Sequence, residues 1–409
     1  MIQVAILGHG VVGSGVAEIL LTHNDSLKRK VHKDITIKRI LDLREFPDLD
    51  YADKFTKDFN DIVNDDEIKV VAEVMGGVNP AFDFVKRCLE AGKSVVTSNK
   101  ELVAKKGAEL LAVAKENNVS FLFEASVGGG IPIIRPLNNC LVANDVDEIA
   151  GILNGTTNFI LTKMITESMS FKDALALAQQ LGYAERDPSA DVEGHDACRK
   201  ICILASLAFG KHVYPDNIHT EGITNISLED VEYANQWGGV IKLIGDVKHI
   251  ENGMLDIFVA PMLVSNDSQL SSIDDVFNGI LVRGDSTGDV VFYGKGAGKL
   301  PTASAVVADI VDCVKHLSAK KYKFWEDCDG SNVLPYEDSV AAMYVRAMGD
   351  IKVAKAVFDN VSQLKRKNAP ENELAFTTEA MTVKEFNEKL AQLKENGVEV
   401  INTIRIGDL

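Results

Sequence analysis

The stretch from Gly182 to Lys200, GYAERDPSADVEGHDACRK, holds five carboxylates and runs straight into the apolar segment ICILASLAF. Those residue types can receive a cationic group and move a proton. Asp196 and Lys200 are four positions apart, so in a helix they share one face. His195 is of the type that more commonly does acid–base work near neutral pH. It sits one position earlier, about 100° round the helix, and therefore points away from that face. Asp187, Asp191 and Glu193 read as solvated loop or capping residues.

A second chemical signal stands at the start of the chain. The apolar run IQVAIL reads as a strand, GHGVVGSG follows at once, and VAEILLTH has helical periodicity. Gly8, Gly10 and Gly13 stand in G-x-G-x-x-G spacing, with Val11 and Val12 between the last two. The first glycine permits a tight turn, the second lets backbone approach a pyrophosphate, and the third lets helix pack on strand. The helix N-terminus then offers free N–H groups to the anion. The second strand, ITIKRILDL, ends near Asp42, where a carboxylate usually takes the ribose hydroxyls of NAD. Arg44 lies two residues on and suits a 2′-phosphate, so the residues leave NAD against NADP open.

The elements that position these groups alternate. IKVVAEVM, SVVTS and SFLFEAS read as strands, with PAFDFVKRCLEAGK and KELVAKKGAELLAVAKENN as the helices between them. Such alternation gives a parallel sheet with helices on both faces, and ligands bind beyond the carboxyl ends of its strands. Gly76–Gly77, Ser98 to Lys100, and EASVGGGIP from Glu124 fall at those ends. After GGGIPIIRPL the pattern changes. A strand, the polar turn NGTTN and a helix open a second section. The glycine-rich turn GKGAGKLP, which contains Gly296, precedes an apolar helix suited to pack back on the first domain. From Ser339 the order is βαββαβ, a ferredoxin-like unit. The resulting boundaries are 1–135 for nucleotide binding, with 296–318 returning to it, 136–318 for substrate and dimerisation, 319–338 as linker, and 339–409 as the tail. The tail has the strands and helices to close its own core, so its removal is expected to leave the rest folded.

Composition narrows the class. The net charge of −17 argues against a nucleic-acid partner. The six cysteines form no CxxC pair and no zinc spacing. No charged, apolar leader opens the sequence, and no apolar run approaches the ~20 residues that span a bilayer. A cytoplasmic protein with no membrane partner is the expectation.

Taken in order, GHGVVGSGV, AEVMGGVNPA, VVTSNK, EASVGGGIPI, NGTTNFIL, GYAERDPSADVEGHDACRK and GKGAGKLPTASAVV resemble homoserine dehydrogenase over about residues 1 to 320. The tail looks like the ACT domain at the C-terminus of many bacterial members. The resemblance implies an α/β protein with a Rossmann-type nucleotide domain, an α+β substrate and dimerisation domain, and an ACT-like ferredoxin fold. It implies NAD(P)-dependent interconversion of L-homoserine and L-aspartate 4-semialdehyde, on the route to threonine, methionine and isoleucine, by a homodimer or higher homo-oligomer. It matches Lys100 to the lysine of the family's NK motif, and Gly182, Tyr183 and Glu185 to GY-x-E. Asp196 and Lys200 match its D-x-x-x-K pair. On this reading Lys200 is the proton donor and Lys100 holds the substrate and polarises its oxygen, while Glu185 and Asp196 receive the substrate ammonium. Ser98, Lys100 and Gly296 join the cofactor set of Gly8, Gly10, Val11, Val12, Gly13, Asp42 and Arg44.

The family's monovalent cation loop, for Na⁺ or K⁺, matches Glu124 with the carbonyls of Val127, Gly129 and Ile131. Glu124 is expected to contribute its carboxylate. Two positions depart from the family. Leu41 stands where members often hold an arginine for the 2′-phosphate, and the D-x-P-G turn of ACT domains reads GDIK at Gly349 to Lys352. Two alternatives stay open. One is another NAD(P)-dependent amino-acid or semialdehyde dehydrogenase, such as one for aspartate; the other is a non-catalytic NAD(P)-sensing regulator. The regulator would have no reason for the Asp196–Lys200 pair.

Overall fold

The computed structural model describes residues 1–250, 253–318 and 325–409. Residues 319–324 of the expected linker lie outside the described residues. The chain forms two compact units, one of residues 1–145, 202–215 and 294–330, the other of residues 146–201, 216–293 and 331–409.

In the first unit, strand Ile2–Leu7 has Val4 to Leu7 fully buried, because helices cover both its faces. It pairs in parallel with Ile35–Leu41 on one side and Ile68–Glu73 on the other. Phe55–Thr56 extends one edge; Ser94–Thr97 and Phe121–Leu122 extend the other. In chain order the strands therefore run 3-2-1-4-5-6. The order reverses between Ile2–Leu7 and Ile68–Glu73, and a crevice for a dinucleotide opens at such a reversal. Two departures from the expected elements have local causes. The long connection after the first helix contains a further helix, Asn24–Val31. The expected strand SFLFEAS shrinks to Phe121–Leu122, because Phe123 leaves the extended conformation and Glu124–Ser126 forms a 3₁₀ turn. Helix Lys299–Lys315 packs in the same core as Val4, Ile6, Val16 and Leu20 through Ala303, Val306, Val307 and Ile310.

The second unit is built on one large sheet. Strands Gly288–Lys295, Phe277–Gly284, Val146–Ile152, Gly239–His249 and Leu255–Ser265 lie side by side. The sheet then continues into the tail through Glu399–Ile406, Met343–Met348, Glu373–Thr378 and Val361–Leu364. With helices Ile351–Val357 and Val383–Glu395, these four strands make the βαββαβ order, arranged 4-1-3-2.

The tail has its own core around Val345, Phe358, Phe376 and Phe386. It is nevertheless joined to the central strands. Met262 and Leu263 pair in parallel with Arg405 and Ile406. Asp230, fully buried on helix Leu228–Trp237, accepts bonds from Arg346 Nε at 2.8 Å, Tyr344 OH at 3.1 Å and Asn402 Nδ2 at 2.8 Å. These ties oppose the expectation that the rest stays folded without residues 339–409. Their loss uncovers the edge of Leu255–Ser265 and takes the Arg346, Tyr344 and Asn402 donors from Asp230. In the GDIK turn, Asp350 caps helix Ile351–Val357 through its bond from Lys352 N.

Candidate active site

The cofactor cleft is built by three glycines with three different duties. Gly8 has φ +98°, a value that β-carbon-bearing residues rarely adopt. A Cβ on Gly13 would lie 2.0 Å from the Gly8 carbonyl oxygen, so helix and strand touch there. At Gly10 a Cβ would meet nothing within 4 Å, and the open space lies at the N-terminus of helix Val11–Thr22. Those features fit a pyrophosphate on the helix N–H groups. Val11 is exposed, while Val12 packs partly against the core.

A cleft of about 470 Å³ is lined by Gly8, Gly10, Asp42 and Arg44, with Leu43, Phe59, Pro80 and Phe84 as apolar walls and Lys57 at its rim. Asp42 accepts from His9 N at 2.8 Å, which fixes its carboxylate beside the glycine turn. Arg44 clasps the same carboxylate through Nε and Nη2, and the guanidinium holds it well below the usual carboxylate range. His9 turns its ring toward Tyr51 and Phe46, away from any chemical duty in the cleft, and burial lowers its pKa.

The ends of two further strands are tied by a carboxyl group that sequence reasoning passed over. Glu73 is fully buried at the end of Ile68–Glu73. It accepts from Thr97 Oγ1 at 2.5 Å and from Met75 N at 2.8 Å, and burial pushes its pKa up. Ser98 and Asn99 follow Thr97, and Asn99 caps helix Lys100–Glu116, so Lys100 stands on its first turn. The only sequence signal was an acid at the end of a mostly apolar strand.

The loop from Glu124 differs from its expectation in one respect. Both carboxylate oxygens of Glu124 face N–H donors: Oε1 accepts from Ile133 N and Ile134 N, and Oε2 from Arg135 N and Nε, all within 3.0 Å. Asp309 completes this knot by accepting from Glu124 N and Arg135 Nη2. The carboxylate is therefore a fastener of the turn. Val127, Gly129 and Ile131 lie in the tight turn that follows, where the Ile131 N–H donates to the Gly128 carbonyl at 2.8 Å. Gly296 belongs here as well. Its carbonyl oxygen lies 2.2 Å from where a Cβ on Gly129 would stand, so Gly129 tolerates no side chain at that contact. Among the described residues, no group of three or more His, Cys, Asp or Glu side chains could hold a metal ion.

In the second unit, helix His195–Phe209 presents Asp196 and Lys200 on one face, and both are almost wholly buried. Lys200 Nζ lies 2.8 Å from Asp196 Oδ2 and donates to the Leu153 carbonyl at 2.7 Å. Asn154 Nδ2 donates to Asp196 Oδ2 at 2.9 Å and to Asp191 Oδ1 at 2.7 Å. Asn154 Oδ1 meanwhile caps helix Gly155–Glu167 by accepting from Thr157 N. Asp191, expected in a solvated loop, is thus wired to this centre, and Asn154 was missed. Its signal was the N-cap pattern Asn-Gly-Thr-Thr ahead of an apolar helix.

The neighbouring positions divide. Thr156 Oγ1 donates to the Tyr183 carbonyl at 2.7 Å, and the Tyr183 ring meets Phe159 edge-on, which anchors the Gly182–Glu185 turn beside the same helix. Gly182 has φ +76°, and the Glu185 side chain is exposed. His195 faces outward to Glu193, and Asp187 caps the turn at Ser189.

Residues 8–124 match the family model described as homoserine dehydrogenase, NAD binding domain, and residues 132–311 match the homoserine dehydrogenase model. The homoserine dehydrogenase of Bacillus subtilis is 42% identical over 319 residues, covering 77% of this chain and 73% of the relative. The chain belongs to the homoserine dehydrogenase family. The Synechocystis homoserine dehydrogenase is 42% identical over 359 residues, covering 84% and 82%. Among solved structures, a homoserine dehydrogenase from Thiobacillus denitrificans superposes with a TM-score of 0.90 at 35% identity, covering 100% of this chain and 98% of the other. A hyperthermophilic archaeal homoserine dehydrogenase in complex with NADPH gives a TM-score of 0.65 at 29% identity, covering 78% and 99%. As a homoserine dehydrogenase, the chain is an NAD(P)-dependent oxidoreductase acting on small molecules, and it interconverts L-homoserine and L-aspartate 4-semialdehyde. Among the described residues, no helix is long and apolar enough to cross a membrane.

Proposed function

We propose that Lys200 is the proton-carrying residue of this reaction and that Asp196, Asn154 and Asp191 hold it in place. The observation that carries the reading is the Lys200–Asp196 contact of 2.8 Å between two nearly fully buried side chains. A buried ion pair contributes little to stability compared with apolar packing of the same volume. Its presence here fits a charged group kept in a fixed position for chemistry. When bound, the nicotinamide ring exchanges a hydride with the substrate carbon. The chain's own residues do the rest. In the reducing direction Lys200 gives a proton to the developing alkoxide, and in the other direction it receives the hydroxyl proton. Asp196 and the Leu153 carbonyl hold the ammonium toward one side. Glu185, exposed on the turn anchored by Thr156, receives the substrate ammonium, and Lys100 binds the substrate and polarises its oxygen.

For the cofactor, Asp42 is the ribose contact and Arg44 the switch. Asp42 would hold the free ribose hydroxyls of NAD, and the exposed Arg44 would leave Asp42 for the 2′-phosphate of NADP. Both cofactors are therefore accepted. The cation reading now rests on backbone carbonyls of Glu124, Val127, Gly129 and Ile131, because the Glu124 side chain is committed elsewhere. A homodimer completes the proposal, supported by the sheet's terminal strand Gly288–Lys295, on which Tyr293 is exposed and stacked on Phe277.

The test follows reduced-nicotinamide absorbance with L-homoserine and each cofactor in parallel, for the wild type and Lys200→Ala. Loss of turnover with cofactor affinity kept supports the assignment. A variant that retains more than half of its turnover removes Lys200 from the mechanism.

A further inference from the structure

A second polar site lies in the large sheet, where the central strands meet the tail. On one face of strands Gly239–His249 and Leu255–Ser265, Lys248 stands opposite Asp256 and Asp246 opposite Phe258. The C-terminal strand brings Arg405 alongside Met262. These residues, with Val340 to Ala342 and Asp408, line a cavity of about 360 Å³.

Most of the charges there are spoken for. Lys248 Nζ lies 3.1 Å from Glu148, which also holds Arg283. Arg405 donates to Ser339 Oγ at 2.9 Å and lies over the Phe258 ring at 4.1 Å. Ser339 Oγ in turn donates to Asp256 at 2.7 Å. Asp246 is different. It is only 1% exposed, it lines the cavity, and its Oδ1 has no hydrogen-bond partner among the described residues. A buried polar atom without a partner is costly, and the native solution is a group that satisfies it.

The surroundings select that group. The group missing is a donor, and the basic side chains are already engaged, so an anion has no receptor. A metal ion needs several converging ligands, and no such cluster exists among the described residues. Phe258, Met262, Val340 and Ala341 supply apolar wall. We propose that this cavity binds a small ligand carrying a primary ammonium on an apolar stem, with Asp246 as the receptor for the ammonium. Burial and the neighbouring carboxylates of Glu148 and Asp256 push the Asp246 pKa well up, against the opposing pull of Lys248 and Arg405. Those same carboxylates favour a cation beside Asp246. The ligand would brace a junction at which the central sheet and the tail share only two paired positions.

The experiment is calorimetric titration of the full chain with n-butylammonium chloride, against potassium chloride at equal ionic strength. Saturable binding is expected. Asp246→Asn should weaken it at least ~10-fold, the loss of one charge-assisted bond. Ala341→Leu fills the apolar wall without touching Asp246 and should also weaken binding; it stands as the test if Asp246→Asn does not fold. No saturable heat beyond the potassium control means that the cavity holds water only and overturns the proposal. Undiminished binding by either folded variant overturns it as well.

Discussion

Asp42 with Arg44 and Asp196 with Lys200 are both carboxylate–cation pairs at 2.8 Å, set in opposite surroundings. The Arg44 side chain is 62% exposed and the Lys200 side chain 8%. An exposed pair is worth ~0–1 kcal/mol, so its cation exchanges partners at little cost. A buried pair resists such exchange, since removing one partner costs ~3–5 kcal/mol. The difference sorts the two pairs by duty. The first suits recognition, in which a guest competes for the cation. The second suits chemistry, in which the geometry must already be in place.

The largest effect expected from this contrast is at Lys200. Lys200→Ala should lower turnover in both directions by ~10²–10⁴-fold, the range for a positioned acid–base group, with NAD(P) affinity nearly intact. Turnover and cofactor titration measured together check it, because general unfolding would move both. Asn154→Ala comes next. It removes a helix cap, worth ~1 kcal/mol of stability, and loosens Asp196 and Asp191 together. Chemical denaturation should show the cap loss, and kcat should fall beyond what the folded fraction explains. Unchanged kcat would mean that Asp196 needs no help to stay in place.

Smaller effects belong to the exposed pair. Arg44→Ala should reduce kcat/KM for NADP by ~10-fold and spare NAD, since one charge-assisted contact is lost from the 2′-phosphate alone. Equal losses with both cofactors would place Arg44 outside phosphate recognition. The smallest effect is on acid stability. The Asp42 pKa is lowered in the folded state, chiefly by the Arg44 hydrogen bond. Its contribution is therefore present above the unfolded value of ~3.9 and is lost as pH falls below it. Asp42→Asn should lower stability slightly at neutral pH and flatten the acid limb below about pH 4, where the wild type has already lost the same contribution. An unaltered acid limb would show that the exposed pair adds nothing to folding.

Local spacing explains what could be read in advance. Three glycines after a strand and an acid four residues before a lysine are patterns within one turn or one helix. Their geometry follows from backbone periodicity alone. The cap pattern at Asn154 and the acid at Glu73 were local signals of this kind, but neither they nor Asp191 revealed partners that come from elements far away in the chain. Glu124 shows the opposite limit. Its loop was recognisable, but the direction of its carboxylate depends on Arg135 and Asp309, whose approach no local pattern encodes. The tail shows the same limit at larger scale. Its βαββαβ order is periodic and legible, whereas the strand that its last residues extend lies in the central section.

That last pairing bears on how the protein is made. Strand Leu255–Ser265 emerges from the ribosome with eleven residues, mostly apolar, and one flank bonded to Gly239–His249. Part of its other flank waits for Arg405 and Ile406, which are synthesised well after it. An unpaired apolar strand edge recruits other chains. During translation the nascent protein therefore carries a sticky flank until the strand Glu399–Ile406 arrives to cover it. Slow synthesis of the tail, or a premature stop within it, would be felt first as aggregation during production.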